Sequence, residues 1–174
     1  MSVLFINSCV RENSRTLVLA ESVMKEMGDV TELNLSVEDI APLNRDLLEK
    51  RERLIKDGKL DDPMLCYAKQ FAAADEIVIA APFWDLSFPA KLKIYFEQIT
   101  VSGITFEYQN GRPSGLCRAK KLTYVTTSGG PIFADFGYTY VKALAQNFYG
   151  IPETRAVRAM NLDVDMIPAH ELLE

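Results

Sequence analysis

The segment Ala80-Ala81-Pro82-Phe83-Trp84-Asp85-Leu86-Ser87-Phe88-Pro89 sets adjacent aromatic rings and two prolines at the end of an apolar run. Flat apolar side chains beside backbone amides suit a planar aromatic cofactor better than a sugar, a metal ion or a duplex. Pro82 and Pro89 each lock their own φ, so the loop between them is stiff and its amides are pre-aimed. Aromatic packing under a sheet edge is the plainer use of the same residues. A second segment, Ser8 to Thr16, carries hydroxyls on Ser8, Ser14 and Thr16 and cations on Arg11 and Arg15, just ahead of a helical pattern. Hydroxyls, guanidinium groups and the free amides of a helix start together hold a phosphate. The same stretch also works as a simple cap, with Asn13 or Ser14 bonding the first-turn amides. A third segment, Thr126-Thr127-Ser128-Gly129-Gly130, lets a backbone come close to a ligand, or makes an ordinary turn.

Other chemistries find little footing. No Gly-x-Gly-x-x-Gly and no Gly-Lys-Ser/Thr phosphate loop occurs. His170 is the sole histidine and lies near the end of the chain, which disfavours Ser-His-Asp hydrolysis and histidine-rich metal sites. The net charge of −5 argues against nucleic acid, which demands clustered Lys and Arg. The basic pairs Lys91/Lys93 and Lys120/Lys121 read as a solvated helix face and a strand entry. Cys9, Cys66 and Cys117 are scattered, without Cys-x-x-Cys, and read as free thiols in a reducing compartment. A strand beginning at Val3 leaves no room for a signal peptide, and no apolar run is long enough to span a membrane. The expectation is a soluble cytoplasmic protein.

These loops need a frame that gathers them. Short apolar runs at Val3–Ile6, Val30–Leu35, Ile77–Ala81, Lys121–Thr127 and Thr154–Met160 read as strands. Helical patterns lie between them: Leu17 to Met27 closed by Gly28, Asp62-Pro63 to Ala74, Pro89 to Ile99, and Phe136 to Phe148 ended by Gly150. Alternation of this kind predicts one α/β domain over 1–174, with a five-stranded parallel sheet and helices on both faces. In such sheets ligands bind at the carboxyl ends of the strands, and each of the three loops follows a strand. Residues 36–62 read as a charged helical insertion with a thin apolar stripe, serving as a lid, a dimer contact or a solvated helix. Residues 103–120 read as a flap with an Asn110-Gly111 turn.

The Ser-x-x-Arg-x-x-Ser loop, Pro-Phe-Trp-Asp-Leu-Ser-Phe-Pro-Ala-x-Leu-Lys-x-Tyr-Phe-Glu, Gly-Ile-Thr-Phe-Glu-Tyr and Thr-Thr-Ser-Gly-Gly resemble the flavodoxin-like NAD(P)H:quinone oxidoreductases. The FMN-dependent NADH azoreductase branch is the nearest in pattern. The resemblance covers residues 3 to 160 and implies a three-layer flavodoxin-like sandwich. It implies an enzyme holding FMN tightly, reduced by NADH or NADPH, that passes electrons to quinones, azo compounds or nitroaromatics by ping-pong turnover. It assigns the phosphate to Ser8, Ser14 and Thr16 with Arg11 or Arg15, and the flavin ring to Pro82, Phe83, Trp84, Asp85 and Leu86. Thr127, Ser128, Gly129 and Gly130 would meet the other edge of the ring. It implies a homodimer in which Phe106 and Tyr108 cap the neighbour's site, with no acid–base side chain, metal, nucleic acid or membrane involved. Trp84-Asp85-Leu86 stands where the family usually has Tyr-Asn-Phe. An Asp85 carboxylate facing the ring would lower the flavin potential. The segment left for a closing helix, Pro168 to Glu174, is short. An electron carrier with little nicotinamide activity, and a relative that has lost the cofactor, are the rival expectations.

Overall fold

Val3, Leu4, Phe5 and Ile6 are all buried, so their strand is covered on both faces, as in a parallel sheet. The computed structural model describes residues 1–172. In chain order the elements are β1 (Ser2–Asn7), α1 (Arg15–Met24), β2 (Asp29–Asn34), α2 (Arg45–Lys56), α3 (Cys66–Ala73), β3 (Glu76–Ala80) and α4 (Ala90–Ile99). Then follow β4 (Phe106–Gln109), β5 (Arg112–Gly115), β6 (Lys121–Thr127), α5 (Phe136–Leu144) and β7 (Glu153–Ala159). Five strands pair in parallel in the order β2-β1-β3-β6-β7, while β4 and β5 form a separate antiparallel hairpin. The fold is flavodoxin-like α/β, with helices on both faces of the sheet.

Strand alternation divides the core. Leu4, Ile6, Ile77, Ile79, Leu122 and Tyr124 point to the face packed by Phe71 of α3, Leu92, Tyr95 and Phe96 of α4 and Val141 of α5. Val3, Phe5, Val78, Ala80 and Val125 point to the other face, where Ala20, Leu17 and Val23 of α1 cover them. The stripe on α2 belongs to the first core: Leu54 is buried there with Leu35, Ile40 and Leu65. Arg51 Nη1 donates to the Glu97 carbonyl at 2.7 Å and ties α2 to α4.

Several helix ends differ from the sequence expectation. The first helix stops at Met24, short of Gly28, where a Cβ would crowd the Met1 carbonyl oxygen at 3.2 Å. The Asp62 carboxylate caps a 3-10 turn over Pro63–Leu65, and only then does α3 begin. Beyond Leu144 the chain widens into a π turn, Ala145–Tyr149, ended by Gly150 at φ +72°. The hairpin turns on Asn110 (φ +51°) and Gly111 (φ +75°), the two left-handed residues of a type I′ turn. In the closing segment one 3-10 turn, Ala169–Glu171, is described; Leu173 and Glu174 lie outside the described residues.

Candidate functional site

Ser14 caps α1 by accepting from the Leu17 amide at 3.3 Å, so the helix starts where β1 empties. Ser8, buried just after β1, donates from both its amide and its hydroxyl to the Ala80 carbonyl, each at 2.9 Å. That locks the end of β1 to the end of β3. Thr16 and Thr127, both buried, share a hydroxyl–hydroxyl bond of 2.6 Å between α1 and β6. The Phe83 amide donates to the Thr127 carbonyl at 3.1 Å and joins the aromatic loop to the third loop. Together these contacts open one cleft at the carboxyl edge of the sheet.

Arg11, Ser14, Arg15, Thr16, Pro82, Phe83, Trp84, Thr127, Ser128 and Gly129 line that cleft. So do Asn13, which the sequence offered only as a helix cap, and Val10 and Asp163, which it did not single out. Ser8, Asp85, Leu86 and Gly130 do not line it. Both donors of Ser8 are turned to the Ala80 carbonyl. Phe106 and Tyr108 also lie off it: Phe106 is buried against the Phe148 ring at 5.2 Å, and Tyr108 projects into solvent.

The aromatic loop is held by more than its prolines. Trp84 and Ser87 exchange backbone hydrogen bonds of 3.2 and 2.7 Å around Asp85 (φ +50°) and Leu86 (φ +65°). This is a tight two-residue turn of left-handed residues. Asp tolerates that conformation; Leu does so only at a cost. No hydrogen bond among the described residues takes the amide of Asp85 or of Leu86. Asp85 itself is exposed on the rim. Trp84 is 39% exposed, so a planar group has an open surface to stack on.

Charge and donors concentrate at the α1 end. Arg11 is exposed and makes no ion pair among the described residues. Arg15 is engaged: its Nη2 meets Asp163 Oδ1 at 2.5 Å and its Nη1 donates to the Ile167 carbonyl at 3.3 Å. Cys9 lies beside this end, and burial pushes its thiol up to about 11, with Glu32 adding to the rise and a Ser14 hydrogen bond opposing it. A thiol so protonated is a poor nucleophile at neutral pH. The donor set comprises two hydroxyls, first-turn amides and one unengaged guanidinium, next to an exposed indole and unpaired loop amides. It fits a phosphate joined to a flat ring.

The family model described as "Flavodoxin-like fold" matches residues 1–173. The chain belongs to this family. Among its flavodoxin-like relatives, an FMN-dependent NADH:quinone oxidoreductase of Coprothermobacter proteolyticus is 35% identical over 165 residues, 88% of this chain and 82% of the relative. One of the same name from Clostridium perfringens is 34% identical over 183 residues, 99% of this chain and 92% of the relative. Among solved structures of the fold, an azoreductase from Bacillus anthracis superposes with a TM-score of 0.81 at 23% identity, covering 99% of this chain and 93% of its own. A B. anthracis FMN-dependent NADH-azoreductase, solved in complex with FMN, gives 0.73 at 23% identity, covering 99% and 92%. Identity this low carries the fold of this flavodoxin-like chain and nothing finer.

Proposed function

We propose that the protein is an FMN-dependent oxidoreductase that draws reducing equivalents from NADH and passes two electrons to quinones or azo compounds. The observation that carries the reading is the meeting of the three strand-end loops in one cleft, with phosphate-type donors at one end and an exposed indole at the other. The relatives named as FMN-dependent NADH:quinone oxidoreductases support it.

Ser14, Thr16, Arg11 and the first-turn amides of α1 would hold the phosphate. Pro82, Phe83 and Trp84 would bear on the ring, with the free Asp85 and Leu86 amides offering hydrogen bonds to its polar edge. Thr127, Ser128 and Gly129 would meet the opposite edge. Bound FMN supplies the hydride and electron chemistry, and the chain supplies stacking, amide dipoles and access. Among the described residues that line the cleft there is no histidine, reactive thiol or paired carboxylate, and the reading assigns no proton transfer to a side chain. A single cleft serving donor and acceptor in turn gives ping-pong kinetics.

A homodimer completes the reading. Trp84, Phe133, Val164 and Met166 on loops and Phe136 at the start of α5 are exposed apolar side chains at the carboxyl edge, which a second copy would cover. Of the hairpin residues only Tyr108 is exposed and would then serve the partner's cleft; Phe106 is buried in its own chain and would support the hairpin from beneath. Among the described residues no helix is long and apolar enough to cross a membrane. We place the protein in the cytoplasm on its free cysteines.

The visible spectrum of purified protein, before and after anaerobic NADH, tests the function. Flavin bands that bleach on NADH are expected. Bands that survive NADH favour an electron carrier, and no flavin even after added FMN removes the cofactor.

A further inference from the structure

Asp163 reaches the cleft from outside the three loops. Beyond β7 the chain turns at Asn161 (φ +63°) and runs back along the third loop as a strap. The Asn161, Leu162 and Asp163 amides donate to the carbonyls of Gly130, Ser128 and Gly129 at 3.3, 3.2 and 3.0 Å. A Cβ on Gly129 would fall on the Asp163 carboxylate, so glycine there admits the strap. The carboxylate in turn meets Arg15 at 2.5 Å.

This ion pair does little for stability, because the Asp163 side chain is 69% exposed and solvated pairs contribute about 0–1 kcal/mol. Its effect on charge is larger. Of the cationic groups at the α1 end, Arg11 stands alone while Arg15 is neutralised by a carboxylate that itself lines the cleft. A phosphate seated there meets a negative charge and finds its second guanidinium engaged. An uncharged flavin ring meets neither effect.

We propose that Asp163 sets how strongly this cleft prefers phosphorylated over unphosphorylated flavin, by occupying Arg15 and placing a negative charge at the phosphate end. The proposal rests on the FMN reading above and identifies a specificity-determining residue of the same site. Removing one mostly solvated charge beside a bound dianion changes its affinity by roughly three- to tenfold.

The test uses the full chain stripped of flavin, with dissociation constants for FMN and riboflavin read by fluorescence quenching. D163N, and D163S as a second variant, should tighten FMN by roughly three- to tenfold and leave riboflavin within about twofold. Adding R15Q to D163N should cancel the gain, because the two sites act through one pair. A parallel shift for both flavins would overturn the proposal, since Asp163 would then shape the ring pocket. Weaker FMN binding would also overturn it, since Asp163 would then hold Arg15 ready for phosphate. If wild type and variants bind neither flavin, the cofactor reading falls instead. Inorganic phosphate supplies an arm that needs no flavin: it should raise the Tm of D163N more than that of wild type, and equal shifts would sink the charge argument.

Discussion

Replacing Gly115 by alanine is the most severe single-methyl change the structure offers. Gly115 ends the hairpin and crosses the backbone where the π turn gives way to Gly150. A Cβ on Gly115 would land on Gly150 N, Tyr149 C and Gly150 Cα, deep inside contact distance. All are backbone atoms, so no rotamer change relieves the overlap. The reverse substitution is tight as well: a Cβ on Gly150, at φ +72°, would lie 3.1 Å from Gly115 Cα. The hairpin must therefore move away by about an ångström or more. The displacement breaks the Cys117 amide bond to the Tyr149 carbonyl (3.3 Å), which contributes about 1 kcal/mol. It also pulls Phe106 off the Phe148 ring (5.2 Å), an aromatic pair that contributes about 1 kcal/mol beyond its burial. With residual strain, G115A should lose about 3 kcal/mol, read from the urea midpoint at constant m. Gly111 is the control: a Cβ there meets nothing within 4 Å, at φ +75°, so G111A should cost only about 1 kcal/mol of backbone strain. If G115A lost less than G111A, the crossing would not be the close packing described, and the hairpin would be free to shift.

Trp84→Ala should weaken FMN binding about tenfold, from roughly 1.5 kcal/mol of lost stacking; unchanged quenching titrations would refute the aromatic platform. Tyr95 is fully buried, and its hydroxyl has no hydrogen-bond partner among the described residues. Tyr95→Phe should therefore hold or raise stability by about 1 kcal/mol, and a clear loss on urea unfolding would reveal a partner for that hydroxyl. Burial raises the Cys9 and Cys117 thiols from 9.0 to about 11 and about 12. Each is an acid whose folded pKa lies above its unfolded one, so its stability contribution is full below pH 9 and lost as pH rises through the folded value. The urea midpoint should fall between pH 8 and 10.5, less steeply in C9A/C117A; a flat profile in wild type would contradict the burial of these groups.

The central strands were legible because burial on both faces writes a continuous apolar run, and Ile77-Val78-Ile79 admits no other reading. The cleft was legible where a strand-end loop carried its own chemistry: Ser14 and Thr16, Phe83 and Trp84, Thr127 to Gly129. Asp163 was not: Asn161 is of a type that takes a left-handed turn readily, but the local sequence does not show that the turn returns the chain to Gly129. The bonds of Ser8 to the Ala80 carbonyl were not legible either, because they join the ends of two strands far apart in sequence. Leu86 gave no turn signal, since a leucine at φ +65° goes against local preference and is imposed by the Trp84–Ser87 pairing. The π turn after Leu144 was hidden likewise: it packs against the hairpin at Gly115, a contact between distant parts of the chain.

The cleft takes its walls from residues 10, 11, 13–16, 82–84, 127–129 and 163, so a molecule seated in it fastens the first loop of the chain to the last strap. Such a molecule recognises only the finished fold and acts as a removable staple. At a free concentration of one hundred times its Kd it adds about 2.7 kcal/mol to the unfolding free energy. The strap after β7 is held to the third loop by three backbone hydrogen bonds and to α1 through Arg15, so a molecule in the cleft adds a tie between the same parts. Supply of the ligand would thereby set how often the finished fold opens, since only the folded chain has the cleft.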